Sequence, residues 1–147
     1  MNKELVINSG DSESVIALLQ DKKLIELHKD RNNNNYAVGD IYLGKVKKII
    51  SGLNAAFVDV GYEKDAFLHY LDLGPQINSQ LKFSRMAING RKNLPKIENF
   101  KLEKDIDKTG KITQVLNQNQ FLLVQIAKEP ISNKGPRLSS EISLPGR

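Results

Sequence analysis

Residues 39–73, GDIYLGKVKKIISGLNAAFVDVGYEKDAFLHYLDL, decide the fold of this chain. They contain three short β-rich runs, which the turn-like segments SGLN and GYEKD separate. With two later runs, the predicted strands are 40–50, 55–60, 65–70, 121–127 and 137–144. Five strands with a long connection between the third and the fourth predict a mainly β protein built on a five-stranded Greek-key barrel, the OB-fold.

The direction of each side chain on these strands follows from alternation between the two faces of a strand. In the second run, the alternate aliphatic residues from Ala56 to Val60 form the expected core face, so Phe57 points outward. In the third run, the same reasoning places Phe67 and His69 outside. Both strands independently put a phenylalanine where a barrel strand faces water.

Lysines are expected on the same surface, because burying Val46 in the first run leaves Lys45 and Lys47 outside. Exposed rings beside lysines suit single-stranded RNA, since bases stack on the rings and ammonium groups neutralise the phosphates. A one-residue bulge would instead turn both phenylalanines into the core, and the sequence leaves that alternative open. Asp59 and Asp65 are expected to orient neighbouring lysines rather than to bind a metal.

Composition limits the class of protein. A length of 147 residues fits one domain, or one domain with part of another. The sequence has no apolar run long enough to span a membrane, and its first twenty residues lack a basic stretch followed by an apolar core, so no secretory signal is expected there. Cysteine is absent, which excludes disulfides and zinc–thiolate sites and fits a cytoplasmic protein.

The basic excess lies in one segment. Residues 81–111 contain nine basic and four acidic residues, a difference equal to the whole net charge of +5. Such a segment raises affinity for phosphate in a salt-dependent way, or it is a solvated loop whose charge only keeps it soluble. It belongs to a long interval at 72–114, expected to be either functional or partly disordered, with some helix within 94–107.

The remaining segments are less decisive. Residues 4–7 read as a strand, whereas 15–28 fit a hairpin or a broken helix equally well, because their apolar runs are nearly continuous. The polar run DRNNNN at 30–35 marks a boundary. The tripeptide at 133–135 is typical of a turn, in which Gly135 is expected to adopt a positive φ.

Several of these motifs together resemble one family. GKV at 44–46, AAFVDVG at 55–61, AFLHYLDL at 66–73, VQIAKE at 124–129 and NKGPRLSSEISLPGR at 133–147 are similar to the amino-terminal part of ribonuclease E/G. These are bacterial endoribonucleases that cut single-stranded RNA in processing and decay. The chain departs from the family pattern at Ala66 and Asn119, where glycines are usual, and Asn119 tolerates a left-handed backbone.

The resemblance implies a domain plan. Residues 1–36 would be part of an RNase H-like subdomain, with 15–28 as a hairpin, and 37–132 would be an S1-type OB-fold barrel with the long basic insertion. Residues 133–147 would be a strand leading into the remainder of the parent protein.

The resemblance also implies which residues contact RNA. Family contacts to RNA fall on Phe57, Phe67 and Lys128, and His69 matches a histidine common in S1-type domains. The parent would be a magnesium-dependent hydrolase whose metal-binding aspartates match nothing up to Arg147. The fragment alone, without a cofactor, is therefore expected to bind RNA and not to cut it.

Two other functions remain open from the sequence. One is a stand-alone S1-type RNA-binding protein acting in translation, and the other is an OB-fold module that binds proteins. No membrane partner is expected, and self-association through exposed edges of the amino-terminal strands is also left open.

Overall fold

The computed structural model describes residues 2–31, 36–90 and 97–146, which form two compact units divided between Asn35 and Tyr36. The first unit is an antiparallel meander of β1 (Lys3–Ser9), β2 (Glu13–Gln20) and β3 (Lys23–Arg31). The assignment of this unit to an RNase H-like subdomain stays a prediction.

The hairpin between β2 and β3 is confirmed. Asp21 and Lys22 connect the two strands with φ values of 48° and 66°. Two central residues with positive φ form a type I′ turn, whose twist matches that of the flanking strands. The turn therefore excludes the broken helix that the apolar pattern alone left open.

The second unit is a closed barrel with the strand order β4-β5-β6-β8-β7, which confirms the predicted fold. Its strands are β4 (Ile41–Ile50), β5 (Ala55–Asp59), β6 (Ala66–His69), β7 (Phe121–Lys128) and β8 (Arg137–Ser139). All neighbours are antiparallel except β6 and β8, which pair in parallel. Because β8 closes the barrel, the barrel extends beyond residue 132.

Apolar side chains fill the inside of the barrel. The fully buried ones come from all five strands of the barrel and from the connection before β7: Val46, Ala56, Val58, Ala66, Leu68, Ile112, Leu122, Val124 and Leu138. Full burial of a valine, leucine or isoleucine side chain contributes about 1.5–3 kcal/mol to the stability of the fold. The barrel interior is therefore a packed core rather than a channel.

The long interval contains a helix at a place that the sequence did not predict. Helix α1 spans Ile77–Ile88 and packs against β7, with Ile77 and Leu81 buried in the core. The expected helix within 94–107 is wrong over the described residues, where only a 3₁₀ turn at Ile97–Asn99 occurs. Residues 94–96 lie outside the described residues, as do Arg91, Lys92 and Lys96 of the basic segment.

Segment 101–107 is irregular because its backbone bonds to α1 instead of to itself. The Glu103 N–H donates to Ser79 Oγ at 2.8 Å, and Asn78 Nδ2 donates to the Lys104 carbonyl at 3.2 Å. Farther along, Asn54 Nδ2 donates to the Gly110 carbonyl, and Asn54 Oδ1 accepts the Ile112 N–H. The described part of the interval is therefore hydrogen-bonded to α1 and to the barrel.

The last strand is shorter than predicted, since β8 ends at Ser139 rather than near residue 144. After it, the buried side chain of Gln125 bonds the backbone of Ser143 twice. Its Nε2 donates to the Ser143 carbonyl at 2.8 Å, and its Oε1 accepts the Ser143 N–H at 2.9 Å. The Gln125 side chain thus binds the backbone N–H and carbonyl of Ser143, which a longer β8 would have paired with a neighbouring strand.

Gly135 is needed for space and not for its dihedral angle. It is absent from the described glycines with positive φ, so the prediction of a positive φ is wrong. A Cβ at this position would lie 2.2 Å from the Asp65 carbonyl oxygen and 2.8 Å from that of Lys64. Only glycine lets the chain before β8 pass so close to the chain before β6. Asn119 does adopt the left-handed conformation expected of it, with φ 65°.

Gly135→Ala is therefore expected to lower the free energy of unfolding by about 1–3 kcal/mol, because backbone must move to admit the methyl group. Thermal unfolding followed by circular dichroism measures the change. Gly52→Ala is the matched control, since a Cβ there meets nothing within 4 Å. Equal melting temperatures for the two variants would contradict the close approach at Gly135.

Candidate nucleic-acid interface

The two barrel phenylalanines face outward, as the alternation of side chains predicted. Phe57 and Phe67 are half-buried, whereas their neighbours Ala56, Val58 and Ala66 are fully buried. The two rings stand opposite each other on β5 and β6, with centroids 5.9 Å apart and planes at 67°. This edge-to-face pair leaves ring surface available on the outside of the barrel.

A bulge in β4 changes which lysine stands beside the rings. The register shifts after Val46, so Lys48 rather than Lys47 is opposite Phe57. Lys48 is exposed, and the side-chain alternation that the sequence suggested fails there because one residue is inserted into the ladder. The bulge lies in β4 only, and the pairing of β5 with β6 has no shift.

Lys47 instead forms ion pairs with two neighbouring carboxylates. Its Nζ lies 2.9 Å from Asp65 Oδ1 and 3.7 Å from Asp59 Oδ2. The hydrogen bond to Asp65, followed by the charges of Asp65 and Asp59, raises the pKa of Lys47 above its ordinary value. The expectation that these two aspartates orient a nearby lysine is confirmed. One lysine thereby neutralises part of the negative charge of two carboxylates close to the phenylalanines.

A groove of about 660 Å³ opens beside the rings. It is lined by Phe57, Phe67, Lys128, Lys64, Lys134 and Arg137, with Asp65, Glu129, Ile131, Asn133 and Gly135 completing its walls. Four cationic and two anionic side chains thus surround two aromatic rings. An aromatic floor with a cationic rim suits a flexible polyanion that carries flat bases.

Strand β8 fixes one wall of this groove. The guanidinium of Arg137 binds the carboxylate of Asp72 with two hydrogen bonds, of 3.0 and 3.1 Å. The adjacent Pro136 carbonyl accepts the Phe67 N–H at 2.9 Å. A bidentate pair of this kind is oriented as well as attractive, so Arg137 is held in place at the groove. Lys134 and Lys128 have no ion-pair partner within the described parts of the chain.

The predicted site residues separate into two groups. The structure brings Phe57, Phe67 and Lys128 together in the groove. It places Lys45 elsewhere, opposite Phe121 of β7, while Lys47 is held by the aspartates.

His69 lies on the same strand as Phe67, with ring centroids 6.4 Å apart, but it is not part of the groove lining. Its Nδ1 accepts the Leu71 N–H at 3.0 Å and caps the 3₁₀ turn that follows β6. The local role of this histidine is therefore to end the strand. Its contact with RNA stays a prediction.

Sequence reasoning missed three cations of the groove. Lys64 lies in the turn before β6, and Lys134 and Arg137 lie around the turn before β8. The last two are distant from Lys64 in sequence and meet it only because Gly135 packs against Asp65. The two cations of NKGPR at 133–137 could have indicated a phosphate-binding segment. The sequence did not show which strand this segment would approach.

Other site chemistry is limited in the described part of the chain. No group of three or more His, Cys, Asp or Glu residues that could hold a metal ion occurs there. None of the helices in residues 2–31, 36–90 and 97–146 has the length and apolar character needed to cross a membrane.

Comparison with known proteins identifies relatives over the whole chain. Ribonuclease G of Escherichia coli (strain K12) is 33% identical over 147 residues, which are 100% of this chain and 26% of that protein. Ribonuclease G of Haemophilus influenzae is 33% identical over 149 residues, covering 98% of this chain and 26% of the relative. Ribonuclease E of Synechocystis sp. is 35% identical over 148 residues, covering all of this chain and 17% of the relative.

No family model matches the chain. The chain spans about a quarter of the ribonuclease G proteins and a sixth of the ribonuclease E protein. The matched region nevertheless covers the whole chain, at 33% and 35% identity. On this evidence the chain belongs to the ribonuclease E/G family.

Proposed function

We propose that this chain binds single-stranded RNA in the groove of its S1-type barrel, as part of a ribonuclease E/G endoribonuclease of RNA processing and decay. The observation that carries the proposal is the outward pair Phe57 and Phe67 inside a rim of four cations. Relatives named ribonuclease E and ribonuclease G support RNA as the polymer.

The rings bind the bases of the RNA, and the cations bind its phosphates. Each base stacked on an aromatic ring contributes about 1–3 kcal/mol without strong dependence on its identity. Lys128, Lys134 and Lys64 are placed to neutralise phosphates on either side of the stacked bases. Arg137 is already bound to Asp72, so its main role is to form one wall of the groove and its charge is less available to a phosphate. The groove therefore favours single strands, whose bases are free to leave their own stack.

Hydrolysis is assigned to other residues of the parent enzyme. A Mg²⁺ ion needs oxygen ligands, usually carboxylates, and the described residues contain no cluster that supplies them. Among the described residues, the neighbouring carboxylates of Asp59 and Asp65 share Lys47 rather than leaving their oxygens free for a divalent cation. This part of the enzyme thus holds the substrate and leaves the chemistry to the metal site of the rest.

Removing both rings tests the groove. Phe57→Ala/Phe67→Ala is expected to weaken binding of a labelled RNA of about 12 nucleotides by at least tenfold, because two stacking positions are lost. Fluorescence anisotropy measures the dissociation constant. Leu102→Ala removes an exposed apolar side chain outside the groove and serves as control. Unchanged affinity in a folded double variant would remove the basis for RNA binding at this face and favour a protein-binding module.

Removing single cations tests the rim. Lys128→Gln and Lys134→Gln are each expected to weaken binding and to reduce the slope of log K against log salt by about 0.7, the value for one phosphate contact on a single strand. Lys108→Gln is the matched control, because Lys108 belongs to the basic segment and does not line the groove. The residue before it, Asp107, accepts the Tyr70 hydroxyl through its backbone carbonyl, which places this part of the chain at the opposite end of β6. A slope that falls only in the control would place the phosphate contacts in the basic segment instead.

RNA cleavage by the chain itself provides a separate test. Incubation of the purified chain with labelled RNA and Mg²⁺ is expected to leave the RNA intact on a denaturing gel, since no metal cluster occurs among the described residues. EDTA-treated samples are the control. Cleavage that depends on Mg²⁺ and persists through repeated purification would contradict this division of roles.

A further inference from the structure

A third phenylalanine lies on the outside of the barrel, away from the groove. Phe121 begins β7 and is 41% exposed. Its cross-strand partner is Lys45 of β4, whose Nζ lies 5.8 Å from the ring centroid. An exposed ring next to a lysine repeats the chemistry of the groove at a second place.

A hollow of about 190 Å³ adjoins this ring. The end of α1 forms one side of it and the turn before β7 forms the other: Leu81, Arg85, Ile88, Asn89, Asn119, Gln120 and Phe121. The hollow therefore combines an aromatic ring, aliphatic walls, side-chain amides and one guanidinium. A nucleotide uses all four, since its base has a flat face and a polar edge and its phosphate is anionic.

The polar groups of the hollow are available for a ligand. Arg85 is exposed and has no ion-pair partner in the described residues. Gln120 accepts the Asn117 N–H through Oε1 at 2.9 Å, which orients its amide and leaves the Nε2 donor unused within those same residues. An oriented amide can read the edge of a base, and the guanidinium can bind a phosphate.

The barrel surface connects this hollow with the groove. Phe121 and Asp59 both pair with Lys45, and Phe57 is two residues from Asp59 on β5. Two strand spacings of about 4.8 Å and two residues of about 3.3 Å place the Cα atoms of Phe57 and Phe121 roughly 12 Å apart. The chain of an RNA can cover this distance in a few nucleotides.

The charges along the connection also favour RNA. The acidic residue on the way is Asp59, which Lys47 binds. Lys45 and Lys48 of β4 are both exposed. A strand of RNA that leaves the groove across β4 would therefore pass over a cationic surface. Because an OB-fold engages about 4–16 nucleotides and the two groove rings stack only two bases, further contacts are needed for the longer site sizes.

We propose that Phe121, with Arg85 and Lys45, forms a second nucleotide-binding position for the same single-stranded RNA that the groove holds. The inference rests on the proposed function, since it extends the path of that RNA. It assigns to α1 a part in binding, through the arginine at its carboxyl-terminal end. It also explains why an exposed ring occurs beside a hollow that side-chain amides line.

Two RNA lengths distinguish the second position from the first. Phe121→Ala is expected to weaken binding of an RNA of about 12 nucleotides by about five- to 150-fold, the loss of one stacked base, and to leave an RNA of about 4 nucleotides unaffected. Phe121→Tyr keeps the ring and should retain the affinity for both. Leu123→Ala is the matched control, because Leu123 lies on the same outward face of β7 with 36% exposure but has no ring.

The outcomes separate the two proposals. Loss of affinity for the longer RNA alone supports the second position. Unchanged affinity in Phe121→Ala, together with loss in Phe57→Ala/Phe67→Ala, overturns the second position and leaves the groove intact. Equal weakening for both RNAs also overturns it, because the ring would then act on the groove or on folding. Loss in Phe121→Ala with none in the groove variant overturns the proposed function and moves RNA binding to the hollow.

Discussion

The short strand β8 is the element on which the rest of the barrel depends. With only three residues it pairs in parallel with β6 and antiparallel with β7, and so closes the sheet. Its approach is allowed by Gly135, which touches the backbone of Asp65 where a side chain would not fit. Closure removes the edges that an open sheet would expose and places the 133–137 segment beside Phe67. The fold and the groove thus share one geometric requirement.

Several acidic side chains around the barrel form ion pairs with neighbouring cations. Lys47 binds Asp59 and Asp65, Arg137 binds Asp72, and Lys82 binds Glu103. The hydrogen bond from Lys82 lowers the pKa of Glu103, which keeps that carboxylate charged and paired. Of the two acids that line the groove, Asp65 is paired in this way, whereas Glu129 has no ion-pair partner among the described residues. Lysines without such partners in the described residues, at the groove and on β4, remain available for phosphates.

The long interval between β6 and β7 contributes structure rather than charge alone. Helix α1 buries Ile77 and Leu81, and residues 112–116 supply Ile112 and Leu116 to the same core. Lys82 lies over the ring of Phe100 at 5.3 Å, and that ring meets Phe83 edge-on with centroids 5.5 Å apart. These contacts connect part of the basic segment to α1. They explain how a segment with a strong cationic excess can be fixed against a barrel.

The sequence by itself determined which faces of β5 and β6 are buried, because alternation in AAFVD and AFLH depends only on which residues are apolar. Motifs spread along the chain also indicated the family, whereas the apolar pattern at 15–28 left a hairpin and a broken helix equally open. The sequence could not place α1, since only Ile77 and Leu81 anchor this helix and two buried serines interrupt its apolar face.

Tertiary structure alone decided the composition of the groove. Lys48 replaced Lys47 beside Phe57 because of a bulge that no residue type announced. Lys64, Lys134 and Arg137 met because two distant turns pack together at Gly135. Local patterns report which way a side chain points. Which distant side chains converge depends on the register and closure of the whole barrel.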